Sequence, residues 1–327
     1  IGTELSVHED GVTVTIGKTL LLEVQRIVED ALLRNVMPVK ILCKLAGKSN
    51  FIAGIVWVWK PFLSDLWGAL AKARASPSRV ANTNWVKQVA SSLSWLRDFL
   101  THRFDAMTRV YYIREHLKPS STFLVATDAS PWGMAALMYI DGILKAALYT
   151  PVTPFDVERF GHAIGSDTGQ QVWELLTVLV ALRHWAGSWE LRRFKIAVRS
   201  DNVATLVAVG NLKSMGVGGN LIARELALDY GRSLYRPTAV VHTPGLANHA
   251  PDWLSRLDEP GRTDPMPAVL KDIRVETPAA RDNSFYLAAP LPSSSKRRKL
   301  ALVKQMRKRH ALHTHFRARL AVIRGRC

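Results

Sequence analysis

Cysteine and long apolar runs are scarce in this sequence. Cys43 and Cys327 are the two cysteines among 327 residues, which excludes a disulfide framework and a CxxC zinc site and fits a reducing, intracellular compartment. The longest apolar run, FIAGIVWVW at 51–59, ends at Lys60 and is far shorter than the ~18 residues of a membrane span. We therefore expect no membrane association. The chain begins Ile-Gly-Thr, without Met or a signal-peptide pattern, which indicates a piece of a longer protein.

Acidic residues are unevenly distributed. The net charge is +17, yet residues 119–260 hold 12 basic and 13 acidic residues. The excess lies in residues 72–118, with 9 basic against 3 acidic residues, and in residues 296–327, with 12 basic and no acidic residues. Both segments favour binding to a polyanion. For residues 72–118, a solvated charged face is an equal alternative, and we expect the interleaved aromatic residues there to be mostly core.

The acid-free tail cannot pack into a core, so we expect it to be exposed. Its pattern resembles a bipartite nuclear-import signal, and it equally suits a nucleic-acid tether, so entry into the nucleus is one expectation. The first basic cluster that we expect to bind nucleic acid is Lys296, Arg297, Arg298 and Lys299.

Residues 1–118 read mainly as helices after an initial hairpin. Alternating apolar and polar residues around Asp10-Gly11 predict a β-hairpin over 5–16. Apolar residues at helical spacing predict an amphipathic helix over 18–34. The apolar pattern of residues 38–71 predicts one or two helices, and the pattern of residues 72–118 is also typical of a helix.

The pattern changes at residue 119. The predicted order is β-β-β-α-β-α-α-β-α, which gives an α/β domain with a mixed sheet flanked by helices. Asp167 or Thr168 is the expected N-cap of the long first helix. Residues 259–295 are rich in Pro and Ser and read as a linker. The predicted elements of residues 119–258 are strands at 123–128, 134–140 and 143–149, a helix at 169–185, a strand at 194–201, helices from 202 and at 219–234, a strand at 238–243 and a helix at 249–257.

Four carboxylates occupy positions that this topology brings together. Asp128 and Asp201 end two apolar strands, Glu174 lies one turn into the long helix, and Asp252 lies in the first turn of the last helix. Sites in open sheets form at the carboxyl ends of strands. Clustered carboxylates require cations, and oxygen ligands favour Mg²⁺ or Mn²⁺. Individually, each residue could instead be a surface carboxylate, and Asp201 could be a helix cap.

The segments TDASPWGMAA, QQVWELLTVLVALRHW, VRSDNVATL and HTPGLANHAPDWLSRL occur in this order. Residues 119–258 thereby resemble the ribonuclease H domain of retroelement reverse transcriptases, in a variant similar to gypsy-like or DIRS-type retrotransposons. The resemblance implies a ribonuclease H-like fold and two Mg²⁺ ions (or Mn²⁺) held by Asp128, Glu174, Asp201 and Asp252. It also implies that Asn248 fixes the turn before the last helix, and it places Ser130, Asn202 and Asn248 at an RNA–DNA hybrid.

Two features depart from the family pattern. Pro251 stands where the family has Ala, which the first turn of a helix tolerates. The family's general-base histidine has no counterpart. We expect His242 in a strand and His249 at a solvated helix start.

The N-terminal part carries a second resemblance. The hairpin, the first helix, LCKLAGKSNFIAGI and PFLSDLWGAL resemble the thumb and connection of these reverse transcriptases, in which a helical thumb grips the minor groove of the template–primer. The sequence contains no Asp-Asp pair, which the polymerase palm requires, so palm and fingers are expected upstream. The expected divisions are a thumb/connection-like region at 1–75, a basic connector at 76–118, the ribonuclease H-like domain at 119–258, a linker at 259–295 and a basic tail at 296–327.

The leading hypothesis is a ribonuclease that cuts the RNA strand of an RNA–DNA hybrid. The alternative is a catalytically silent nucleic-acid-binding remnant of a retroelement polyprotein. A third possibility is an integrase-like nuclease, in which a helix Glu at position 174 is not expected. Glu174 therefore discriminates between the two nucleases.

Overall fold

The computed structural model describes residues 2–75, 82–102, 107–113, 121–189, 194–214, 216–232 and 236–287. The basic tail, with Lys296, Arg297, Arg298 and Lys299, lies outside the described residues, as do parts of the 76–118 connector. In the described part of the chain, no helix is long and apolar enough to cross a membrane.

The N-terminal part combines a small antiparallel sheet with a helical core. The predicted hairpin and first helix are confirmed, and residues 38–71 form two helices. Residues 72–118 contain one described helix but also two strands that were not predicted. One of these strands extends the hairpin to a sheet of order β1-β2-β5. The elements are β1 (Thr3–His8), β2 (Gly11–Ile16), α1 (Lys18–Leu32), β3 (Val36–Pro38), α2 (Val39–Ile55), α3 (Lys60–Ala75), β4 (Thr83–Trp85), α4 (Ala90–His102) and β5 (Thr108–Tyr112).

Aromatic residues of the basic segment divide between core and surface. Phe62 stacks on Trp95 and meets the edge of Phe99, with ring centroids 5.5 and 5.6 Å away. The expected core role is confirmed for these two aromatic residues. Trp85 and Tyr111 are exposed.

The second part is built on a six-stranded mixed sheet of order β10-β9-β6-β7-β8-β11. β9 runs parallel to both β6 and β10, whereas β7 is antiparallel to β6 and β8. The predicted element order is confirmed, with α5 and β11 added, so the mixed sheet flanked by helices is also confirmed. The elements are β6 (Ser121–Ala129), β7 (Gly133–Ile140), β8 (Ile143–Pro151), α5 (Pro154–Phe160), α6 (Gln170–His184), β9 (Phe194–Ser200), α7 (Val203–Asn211), α8 (Val217–Arg232), β10 (Ala239–His242), α9 (His249–Ser255) and β11 (Val275–Glu276).

Helix α6 is the central helix of this domain. Every residue from Val172 to Leu182 is buried, as expected of a helix that is apolar on all sides. The N-cap prediction was wrong. Asp167 and Thr168 form a short 3₁₀ turn whose cap is Ser166, and the N-cap of α6 is Gly169, without a side-chain hydrogen bond. A Cβ at Gly169 would lie 2.5 Å from the Trp173 ring nitrogen, so a capping side chain does not fit at this position.

Residues 258–287, here called the C-terminal strap, differ from the expected linker. β11 adds to the edge strand β8 in parallel, and Leu270 is buried. Arg281 and Asp156 form a buried ion pair at 2.7 Å, with at most 1% of either side chain exposed. The strap is held on the domain by strand pairing, by the buried side chain of Leu270 and by the ion pair of Arg281 with Asp156.

The N-terminal helices pack on α8 of the second domain. Arg224, which is buried, donates to Asp65 at 2.7 Å and to Ser91 and Ser92 at 3.2 and 3.1 Å. These contacts join α3 and α4 to the face of α8.

Candidate metal centre

Three of the four predicted carboxylates meet at one edge of the sheet. Asp128, Glu174 and Asp201 each offer an oxygen, and these atoms lie within 4.8 Å of one another. Asp128 is near the end of β6, and Asp201 directly follows the parallel neighbour β9. Glu174 reaches the same edge from the second turn of α6.

Asp201 is not a helix cap. Asn202 caps α7, because its Oδ1 accepts from the Thr205 amide at 3.0 Å. The Asp201 side chain instead faces the other carboxylates. A Cβ at Gly245 would lie 3.3 Å from Asp201 Oδ2, so this loop passes close to the cluster.

Asp252 borders the cluster without joining it. Its Oδ1 accepts from Arg256 Nε at 2.8 Å, on the partly exposed face of α9. It lies near enough for its charge to raise the pKa of Asp128. The structure therefore gathers three of the four predicted ligands and places the fourth in an ion pair beside them.

Burial dominates the electrostatics of the cluster. It raises the pKa of Asp128 to about 7, and the charges of Asp252 and Asp201 act in the same direction. Burial likewise raises the pKa of Glu174 well above its ordinary value, followed by the charges of Asp128 and Asp201. Several carboxylates share a site of low dielectric, so their ionised forms need compensating positive charge.

Hydrogen bonds from neighbouring residues orient two of the carboxylates. Ser255 Oγ lies 2.8 Å from Asp128 Oδ2, and Asn248 Nδ2 lies 3.3 Å from Asp128 Oδ1. Gln170 donates to Glu174 Oε1 at 3.1 Å and also to the Ala129 carbonyl. The roles of Ser255 and Gln170 were missed from sequence, although Gln170 stands four residues before Glu174, a spacing that places both on one helix face.

The side chains of Ser130 and Asn248 form their hydrogen bonds inside the domain. Both are buried. The Ser130 hydroxyl donates to the Ser255 carbonyl at 2.7 Å and accepts from the Gly133 amide at 3.1 Å. Asn248 donates to the Thr127 carbonyl at 3.0 Å. Both side chains therefore have supporting roles inside the domain, where polar groups must find protein partners, and their contact with a hybrid stays a prediction.

Three further polar residues were assigned positions from the sequence: Asn202, His242 and His249. Asn202 is partly exposed as the cap of α7, and its contact with a hybrid stays a prediction. The positions of two histidines are confirmed, since His242 ends β10 and His249 begins α9, both exposed.

The donor set fits a hard divalent cation. Glu174 Oε2 is buried and has no hydrogen-bond partner in the described part of the protein. A buried carboxylate oxygen without a donor is costly, and a cation would satisfy it. Three carboxylate oxygens and no sulfur or imidazole ligand suit Mg²⁺ or Mn²⁺ better than zinc.

No protein-family model matches the sequence, and no curated protein is significantly similar to it. Among solved structures, RNase H1 from the halophilic archaeon Halobacterium salinarum NRC-1 aligns at 16% identity and a TM-score of 0.30, over 41% of this chain and 93% of that protein. A foamy viral protease-reverse transcriptase in complex with RNA/DNA hybrid aligns at 16% identity and a TM-score of 0.25. That alignment covers 73% of this chain and 28% of the viral one.

Proposed function

We propose that this chain is the C-terminal part of a retrotransposon reverse transcriptase and carries a ribonuclease H that cuts the RNA strand of RNA–DNA hybrids. The observation that carries the proposal is the convergence of Asp128, Glu174 and Asp201 within 4.8 Å. These residues come from two strand ends and one helix, distant in sequence. Their convergence supports a catalytic edge, because scattered surface carboxylates have no reason to share a buried site.

The cluster suits phosphodiester hydrolysis. Divalent cations bound there would activate a water molecule and stabilise the leaving oxygen, giving 3′-hydroxyl and 5′-phosphate ends. The chain's own contribution is to hold Asp128, Glu174 and Asp201 as cation ligands in fixed positions. Arg256, paired with Asp252, brings positive charge near enough to the cluster to act on the pKa of Asp128.

Glu174 favours a ribonuclease H over an integrase-like nuclease. It projects from the first long helix after three antiparallel strands and reaches the two aspartates. In the integrase-like alternative, the helix carboxylate would come from a late helix. Placement of Glu174 on α6 therefore supports the hybrid as substrate, which the 2′-hydroxyls of its RNA strand distinguish from DNA.

Helix α2 supports a duplex-gripping role for the thumb-like region. Asn50 and Phe51 are exposed on it, and a Cβ at Gly47 or Gly54 would meet no atom within 4 Å. Glycine weakens a helix interior by about 1 kcal/mol relative to alanine, and nothing in the described chain packs there to offset this cost. A nucleic-acid backbone approaching this face would account for the small residues.

The test is cleavage by the purified full chain in Mg²⁺, with end-labelled RNA–DNA hybrid, duplex DNA and single-stranded RNA. We expect cuts in the RNA strand of the hybrid alone and no cuts in the presence of a chelator. Binding of hybrid without cutting, in Mg²⁺ or Mn²⁺, would favour the silent remnant. Cutting of duplex DNA would favour the integrase-like nuclease.

A further inference from the structure

Ser255 has no part in the predicted site, yet it contacts that site from α9. Its hydroxyl oxygen lies 2.8 Å from Asp128 Oδ2 and 2.9 Å from the Asp252 carbonyl. Its side chain is fully buried. We infer that Ser255 is a positioning residue, which fixes the Asp128 carboxylate in the orientation that binds the cation; this inference rests on the proposed function.

Ser255 is itself held from a second side. Its carbonyl accepts from Ser130 Oγ at 2.7 Å, and a Cβ at Gly133 would lie 2.7 Å from that carbonyl oxygen. The turn between β6 and β7 therefore closes tightly on the end of α9. Because the backbone of Ser255 is held in this way inside a close-packed interior, its buried hydroxyl is presented to Asp128 from a fixed position.

The single hydroxyl proton of Ser255 has two acceptors within reach. A hydrogen bond to an ionised carboxylate is roughly twice as strong as one to a neutral carbonyl. When Asp128 is ionised, as a cation ligand must be, the proton therefore goes to Asp128 Oδ2. Asn248 donates to the other oxygen, so both oxygens receive donors from the segment that ends the domain.

Ser92 offers a matched control. It is also fully buried, and its hydroxyl donates to a carboxylate oxygen, Asp65 Oδ2, at 2.7 Å. That pair lies in the contact between α3 and α4, away from the carboxylate cluster. Ser92→Ala removes the same kind of hydrogen bond from the same degree of burial, together with the bond that Ser92 accepts from Arg224, without touching a predicted ligand.

The experiment is calorimetric titration of the full chain with Mn²⁺, comparing wild type, Ser255→Ala and Ser92→Ala. We expect Ser255→Ala to weaken cation affinity roughly 10-fold, the lower range for loss of a partner that orients a ligand, and Ser92→Ala to leave it unchanged. In hybrid cleavage, Ser255→Ala should raise the cation concentration for half-maximal rate and leave the KM for hybrid unchanged. Thermal unfolding measures the stability loss of both variants.

Ser255→Cys provides a second variant that leaves no cavity and replaces the hydroxyl by a weak donor. It should lower cation affinity in the same direction as Ser255→Ala. Unchanged affinity in a folded Ser255 variant, or an equal loss in Ser92→Ala, overturns the inference while leaving the proposed function standing. A wild-type chain that binds no cation instead overturns the proposed function.

Discussion

While no cation is bound, ionisation of the buried Asp128 carboxyl group opposes folding. Burial raises its pKa from 3.8 to about 7, so ionisation is easier in the unfolded chain than in the folded one. The carboxyl group therefore contributes stability that is fully present below its unfolded pKa and is lost as the pH rises through about 7. A residue with this property is retained for function at the expense of stability.

Asp128→Asn should stabilise the cation-free protein at high pH. At pH 8, its free energy of unfolding should exceed that of wild type by up to about 4 kcal/mol, from about 1.4 kcal/mol per pKa unit. The difference should shrink towards zero near pH 3, where the wild-type carboxyl is protonated in both states. Urea unfolding in chelator across this range measures it, with exposed Asp30→Asn as control. A difference that does not vary with pH would contradict the burial argument.

The same substitution should abolish cleavage. Asp128→Asn keeps the shape of the side chain and removes a charged cation ligand, so we expect hybrid cleavage to fall by at least about 100-fold. Hybrid binding in a cation-free mobility assay should stay near wild type. Retained cleavage would remove Asp128 from the metal site, and joint loss of cleavage and folding would indicate a structural role.

The chemistry of single residues was enough to predict the candidate cation ligands, but not the burial of the residues around them. Asp128 and Asp201 were predictable because an apolar strand that ends in a carboxylate needs a partner for the charge. Ser130 and Asn248 were assigned to the hybrid by the resemblance to the ribonuclease H family, which carries no information on their burial in this chain. Their burial depends on how α9 closes over β6, which no local pattern encodes.

At the scale of elements, long periodic segments were predictable and short ones were not. The strands around Asp128 and helix α6 carry clear apolar patterns. The two-residue strand β11 has none, and it forms because β8 leaves an edge to pair with. Helix α5 did carry a signal, since Thr153 and Asp156 form a capping box with Pro154 at the first position.

Arg281 anchors the C-terminal strap through a buried ion pair with Asp156. Removing one partner of such a pair leaves an uncompensated buried charge, so Arg281→Ala should lower the free energy of unfolding by about 3–5 kcal/mol. Denaturant unfolding measures the loss, and exposed Arg274→Ala is the matched control with little expected effect. If both variants unfold alike, the strap is a linker as the composition of the sequence suggested.

At the scale of the whole molecule, the strap ends against α8. The Leu287 amide donates to Glu225 Oε2 at 2.8 Å, and α8 also receives the N-terminal helices through Arg224. One helix thus contacts both the N-terminal helices and the end of the C-terminal strap. This arrangement was not predictable, because Asp65 and Arg224 are distant in sequence and each resembles a solvated surface charge.

The basic tail should act as a tether for nucleic acid. Residues 296–327 carry 12 basic and no acidic residues, and each phosphate that they neutralise releases a counterion, which adds about 0.9 to the slope of log affinity against log salt on duplex DNA. Deleting residues 296–327 should therefore flatten that slope and weaken binding to hybrid, duplex DNA and single-stranded RNA alike. Fluorescence anisotropy across a salt series measures both effects.

Deletion of the tail should leave the preference for hybrid unchanged, because we propose that this preference belongs to the 119–258 domain, whose charge is nearly balanced. A variant that exchanges the eight Lys and Arg of 296–309 for Gln separates charge from length, since it keeps the length and removes eight of the twelve positive charges. It should flatten the salt slope as well. An unchanged slope in both variants would leave the tail without a nucleic-acid role, and a receptor-read nuclear-import signal would then be the better account of its charge.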